Sequence, residues 1–284
     1  MISESSARPA DNVLQRIPPF PTALVSILHS CAANDPSVAD IAQSVSMEEV
    51  LAAKVVRAAN AAALAPVHPV DNVADAVSRL GASAIRGMAS AYFLGNVFSG
   101  AFSQSGLDRE SLWRHNLAVA AASAGAAGPG TERANAYFAG LMHDVGKMIL
   151  ASEIGQAYSD CIAESLATGK DLYLVERSRL GVDHAEIGAD AAEEWNFAPE
   201  LVEAIRRHHQ ILGAGLLQPL ASHVLVGNQV ANDMGIALIT RASADAAMTV
   251  TTMTTSIGAG IMSRARWALT NEMPRIEAML RSVV

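Results

Sequence analysis

Ala139-Gly140-Leu141-Met142-His143-Asp144-Val145-Gly146-Lys147-Met148-Ile149-Leu150 sets an adjacent imidazole and carboxylate inside an otherwise apolar run. A carboxylate among apolar side chains loses hydration worth several kcal/mol unless a cation or a set of donors replaces it, and a neighbouring imidazole can share the same ion. The plain alternative is a buried His-Asp hydrogen bond near a helix end, with Gly146 as a local breaker.

Working outward, further histidines recur inside amphipathic segments. They stand at His115 in Leu112-Trp113-Arg114-His115, at His184 in Val182-Asp183-His184-Ala185-Glu186-Ile187-Gly188, and at His208-His209. On the helix from Asp108 to about Gly125, Leu112, His115, Val119 and Ala122 share one stripe, so His115 points with the apolar residues. Core histidines are common singly; a series of them is not.

Composition sets the class. The 284 residues suffice for one large domain or two modest ones. Hydrophobic residues make up 51% and aromatic ones only 5%, with Ala, Leu and Val prominent, which favours packed helices over a β-sandwich. A net charge of −8 argues against a general nucleic-acid binder. Arg206-Arg207 is the one basic cluster beside the candidate site, and its favoured reading is a solvated helix face. Cys31 and Cys161 show no metal or redox spacing and read as core residues of a protein in a reducing cytoplasm. No signal peptide is recognisable at the start, and no run reaches the roughly 20 apolar residues of a membrane span.

Periodicity and caps place the elements. Residues 1–13 read as a flexible tail, and Ile17-Pro18-Pro19-Phe20-Pro21 forces an extended lead-in. Helices are predicted from Thr22 to Ala33, from Val38 after a Ser37 cap, from Ser46 through a Ser46-x-x-Glu49 box, from Asp71 or Asn72 to Leu80, and from a Ser83 cap through Phe93. Gly95 to Gly106 reads as a linker. Beyond it the pattern predicts one helix over Glu132–Leu150 and another from Ile154 to Ala167. Further helices are predicted from Asp171 to Leu180, from His184 to about Trp195, from Pro199, and from Leu220 to Met234. Arg264 to Val284 has the pattern of a closing amphipathic helix that either packs back on the domain or mediates dimerisation.

The order of His115, then His143-Asp144 followed by Val145-Gly146-Lys147, then His184 and His208-His209, resembles the HD superfamily of metal-dependent phosphohydrolases. It is most similar to the HDOD branch of bacterial signalling proteins. The first half adds to this with the Ile17–Pro21 lead-in, the Lys54-x-x-Arg57-x-x-Asn60 spacing, Pro69-Val70 and Leu80-Gly81. The resemblance implies an all-α fold, with an N-terminal helical subdomain over 14–95, an HD-like helical core over 107–235 and a helical extension over 236–284.

It further implies that His115, His143 and Asp144, joined by His184, His208 and His209 as in the binuclear HD-GYP phosphodiesterases, hold a divalent metal such as Fe, Mn or Zn. Lys147 is implied as a catalytic residue touching substrate phosphate or acting as an acid, against the alternative of a surface lysine near a helix C-terminus. Two departures stand out. Gln210-Ile211-Leu212-Gly213 lacks the Gly-Tyr-Pro loop, and Asn228 stands where a closing Asp is expected, with Asp233 badly phased to replace it.

The favoured expectation is a non-catalytic regulatory module acting in the cytoplasm through contacts with signalling proteins, or as a homodimer. The alternatives are a phosphohydrolase acting on a nucleotide or cyclic dinucleotide, and a scaffold whose histidines are residual core.

Overall fold

The computed structural model describes residues 13, 16–17, 19–32, 36–61, 69–99, 101–210, 219–238 and 259–283, and these contain helices and no strand. Five helices form the first half: α1 (Thr22–Ala32), α2 (Val38–Ser46), α3 (Glu49–Ala59), α4 (Val73–Leu80) and α5 (Ala82–Val97). After α6 (Ala101–Gln104) come α7 (Arg109–Ala127), α8 (Thr131–Met142), α9 (Val145–Thr168), α10 (Leu172–Leu180), α11 (His184–Glu194), α12 (Pro199–Arg206), α13 (Pro219–Asp233) and α14 (Ala259–Val283). The all-α expectation holds. So do the caps at Ser37 and Asn72, whose side chains accept from the backbone N–H of Asp40 at 3.3 Å and of Asp75 at 2.9 Å.

The centre of the molecule is α7. It is buried from Leu112 to Ala126 save Arg114, because Ala, Ser and Gly on every side let neighbouring backbones close on it. Helices α8, α13 and α14 all pack there. A Cβ on Gly140 of α8 would lie 2.9 Å from Ala120 Cα, and one on Gly227 of α13 would lie 2.8 Å from Val119 O. The closing helix therefore packs back on the domain: Ala265, Ala268, Leu269, Ile276 and Leu280 are buried, and Glu277 accepts from Arg114 Nε at 3.0 Å.

Five local expectations are corrected. Ser46 does not cap α3; it is the last residue of α2 and donates its hydroxyl to Ala42 O at 2.7 Å. Ser83 lies inside α5, whose N-cap is Gly81 at φ +79°. The supposed linker over 95–106 is packed structure, with Phe98, Ala101 and Ser105 buried and α6 lying against α9. The single helix over Glu132–Leu150 is instead two, α8 and α9, divided at His143-Asp144, while the helix expected to begin at Ile154 is the continuation of α9 past a kink (φ −128°, ψ 24°). Packing overrode local propensity at each place.

Two clasps hold the first half in place. Asn60 brackets the backbone of Val70, donating from Nδ2 to its O at 2.7 Å and accepting from its N–H at 2.8 Å. Phe20, which follows the prolines, meets the rings of Trp195 and Phe197 at 5.0 and 4.9 Å and ties the lead-in to the end of α11. The 1–13 tail lies outside the described residues except Val13, which is buried.

Candidate metal centre

The chain leaves the helical conformation at Asp144 (φ −100°, ψ 13°), which precedes α9 without capping it. Its carboxylate instead turns inward. Oδ2 lies 3.6 Å from His115 Nε2, 3.3 Å from His143 Nε2 and 2.6 Å from Lys147 Nζ. Oδ1 lies 3.4 Å from His184 Nε2 and 3.5 Å from His208 Nε2. Side chains from α7, the α8–α9 junction, α11 and the turn after α12 thus meet on one carboxylate, and none of His115, His143, Asp144, His184 and His208 is more than 3% exposed.

The backbone brings α9 and α11 close enough for this through glycine. A Cβ on Gly146 would fall 1.9 Å from His184 O and 2.8 Å from Gly188 N, and one on Gly188 would fall 3.1 Å from Gly146 N. Gly146 is therefore no helix breaker. It is the point where two helices touch backbone to backbone, and it sets His184 against the His-Asp pair.

Each imidazole of this five-residue group is aimed by a hydrogen bond from its other nitrogen. Nδ1 of His115, His143 and His208 meets the carbonyl oxygens of Ile236, Gly140 and Ile205 at 2.7, 2.7 and 2.6 Å. Nδ1 of His184 meets Glu176 Oε2 at 2.6 Å, and the same oxygen accepts from the His184 backbone N–H at 2.9 Å. Carbonyl and carboxylate oxygens only accept, so all four rings carry hydrogen on Nδ1 and turn Nε2 toward Asp144.

His209 is the sixth member. Its Nε2 lies 2.8 Å from His184 Nε2, and its ring stacks on Tyr173 at 4.6 Å. Outward from it opens a cavity of about 430 Å³ lined by Tyr173, Arg177, Arg206 and Gln210 among others.

The donor set suits a metal ion. Nε2 of His143, Nε2 of His208 and Oδ1 of Asp144 are buried with no hydrogen-bond partner, and orphans of this kind cost about 1–3 kcal/mol each when nothing fills the gap. A tetrahedral ion with bonds of about 2.0–2.1 Å spaces its donors about 3.3 Å apart, close to the 3.3–3.6 Å found between the imidazole nitrogens and Asp144.

Burial holds His115 down to about 3 and His208 to about 4, and pushes His209 well below the usual imidazole value, so these rings stay neutral and ready as ligands. Burial alone would raise Asp144, but the His143 ring and the Lys147 ammonium beside it hold it well below the usual carboxylate range.

A pH dependence follows. Unfolded histidines take up protons below about 6.5, whereas His115 and His208 in the fold do not until about 3 and 4. Their contribution to stability is complete above 6.5 and is lost as the pH falls toward 4. The melting temperature of metal-free protein should therefore drop steadily between pH 6.5 and 4. A flat profile over that window would contradict the neutral buried rings.

Lys147, expected either to touch substrate or to lie on the surface, is buried with its ammonium on Asp144. Asn228 accepts from Asn232 Nδ2 at 3.1 Å, and Asp233 accepts from Gln229 Nε2 at 2.7 Å and lies 3.6 Å from Arg266. Arg206 and Arg207 are engaged by Asp190, Glu193 and Glu203, so the basic cluster is internally paired.

Sequence reasoning missed Glu176. Fully buried, it orients His184 and accepts from Tyr158 Oη at 2.8 Å. Burial and this carboxylate push the Tyr158 phenol well above its usual range, which keeps it a donor. The signal was present: Glu176 is four residues after Leu172 and four before Leu180, on the inward stripe of α10. Glu176→Gln should leave the helical fold intact and weaken metal affinity about 10- to 100-fold, measured by competition with a chelating dye.

An all-helical fold with an HD-type cluster at its heart defines the class. The HDOD domain profile matches residues 17–211, and the chain belongs to the HDOD family. An uncharacterized protein of Treponema pallidum is 26% identical over 217 residues, which are 75% of this chain but 41% of that protein, so the chain spans about two fifths of the relative's length.

Among solved structures, an HDOD domain protein of unknown function from Geobacter sulfurreducens aligns with a TM-score of 0.74 at 20% identity, covering 96% of both chains. A candidate signal transduction protein from Marinobacter aquaeolei VT8 aligns with a TM-score of 0.74 at 24% identity, covering 97% of this chain and 61% of the other. A candidate phosphohydrolase from Shewanella amazonensis SB2B aligns with a TM-score of 0.70 at 24% identity, covering 98% and 99%. These likenesses are of fold. Among the described residues no helix is long and apolar enough to cross a membrane.

Proposed function

We propose that this protein is a regulatory HDOD module of bacterial signal transduction that acts through protein contacts in the cytoplasm, does not hydrolyse phosphate esters, and carries a divalent metal, Zn, Fe or Mn, as part of its fold. The observation behind this reading is the sealing of the cluster. An HD hydrolase must bring a phosphoryl oxygen onto its ion, yet His143 and Asp144 are wholly buried, and of the six candidate ligands only His209 lines the outer cavity. A metal held by Asp144, His184 and His208 would cross-link the α8–α9 junction, α11 and the turn after α12, stabilising the folded state by its binding free energy. Exposed Val25, Met47 and Val50 on α1–α3 and the turn between them offer apolar side chains to a signalling partner or a second copy of the chain.

Protein purified without chelator tests this. Elemental analysis should find metal that disappears in His208→Ala, and bis(p-nitrophenyl) phosphate should be turned over no faster than in a protein-free blank. Turnover that vanishes in His208→Ala would overturn the non-catalytic reading in favour of a phosphohydrolase. Its substrate would be a nucleotide or cyclic dinucleotide admitted past His209. Absence of metal would remove the ion from the account and leave the regulatory fold.

A further inference from the structure

The two oxygens of Asp144 face unlike surroundings. Around Oδ1 stand Nε2 of His184 and of His208, and with a nitrogen of His209 and the carboxylate they make a set of four donors within 4.8 Å of one another. Around Oδ2, among the described residues, stand His115 and His143, and the Lys147 ammonium sits on that oxygen at 2.6 Å. We infer that the centre takes one metal ion, on the Oδ1 side, and that Lys147 is the resident cation of the other half. This rests on the metal reading above and says where the ion sits and how many there are.

Charge supports the asymmetry. The single carboxylate between the two halves is shared with one ammonium already, and a divalent ion on the Oδ2 side would lie within a few ångströms of that ammonium in a buried setting where repulsion is poorly screened. No other described carboxylate relieves it there: Asp233 is engaged by Gln229, and Glu176 serves His184 on the opposite side. On the Oδ1 side three imidazoles and a carboxylate form a complete ligand set for Zn or Fe without further help. A centre with one ion also lacks the paired ions that clamp attacking and leaving oxygens in two-metal hydrolysis.

Native mass spectrometry and elemental analysis of the full chain loaded with excess Zn²⁺ and then desalted read the count directly. One equivalent is expected. Two equivalents in the unaltered protein would overturn the inference while leaving the metal reading in place, and none would overturn that reading itself.

Position is read with His208→Gln, which should lose the ion, and His115→Gln, which should retain it, each checked for helical content by circular dichroism. The opposite pattern would overturn the assignment. Lys147→Gln should raise the count from one to two, and a count still at one would show that the lysine is not what keeps the second half free of metal.

Discussion

Asp144→Ala should abolish metal binding altogether and lower the melting temperature of the metal-free protein by roughly 10 °C. Among the described residues Asp144 is the one carboxylate at the centre of the cluster, touching both halves, so its loss removes the anionic ligand and leaves imidazoles around a gap. The stability loss has a separate origin. The Lys147 ammonium, 2.6 Å from Asp144 and almost wholly buried, is left without its counter-charge, and breaking one side of a buried pair costs about 3–5 kcal/mol. In a chain of this size each kcal/mol shifts melting by about 2–3 °C. Asp144→Ala combined with Lys147→Met should recover most of the stability and none of the metal binding. A double variant as unstable as the single one would show that packing, not the unpaired ammonium, sets the loss.

The second large effect is expected at Gly146. Gly146→Ala gains at most about 1 kcal/mol of helix propensity, but the new Cβ would fall 1.9 Å from His184 O. Ordinary carbon contacts need about 3.5 Å, so α9 and α11 must separate by roughly 1.5 Å. Overpacking of this kind costs about 3 kcal/mol, outweighing the propensity gain, and it carries His184 away from Asp144. Metal affinity should fall at least about 100-fold alongside the loss of stability. Gly188→Ala meets Gly146 N at 3.1 Å and Ile205 Cγ2 at 3.2 Å, so the same propensity gain nearly offsets its crowding. Chemical denaturation and Zn²⁺ titration of the two variants check the contrast. Equal effects at the two glycines would contradict a backbone contact centred on Gly146.

The pattern of residues made much of this legible. Helical periodicity, prolines and the Ser37 and Asn72 caps located most of the elements, and the recurring histidines on apolar stripes named the six side chains that the fold brings together. The failures have a common cause. Ser46 and Ser83 carry the residue type of a cap, but where a helix starts also depends on what its first turn packs against. The 95–106 stretch has the glycine and serine content of a linker, yet Phe98 and Ala101 find a buried seat against the second half. Glu176 was passed over because its orienting partner His184 lies eight residues away on a different helix.

By itself, the amino-acid sequence determined that this protein is helical, that it belongs with HD-type proteins, and which imidazoles and carboxylate would matter, because residue type and spacing along a helix are local properties. Only the tertiary structure decided that Asp144 sits between His184, His208 and His209 on one side and His115, His143 and Lys147 on the other, that Glu176 steers His184, and that all of the clustered imidazoles but His209 are closed off from solvent. Those depend on how closely α9 and α11 approach at Gly146 and on the rings turning their nitrogens inward, and both are set by packing between segments far apart in the chain.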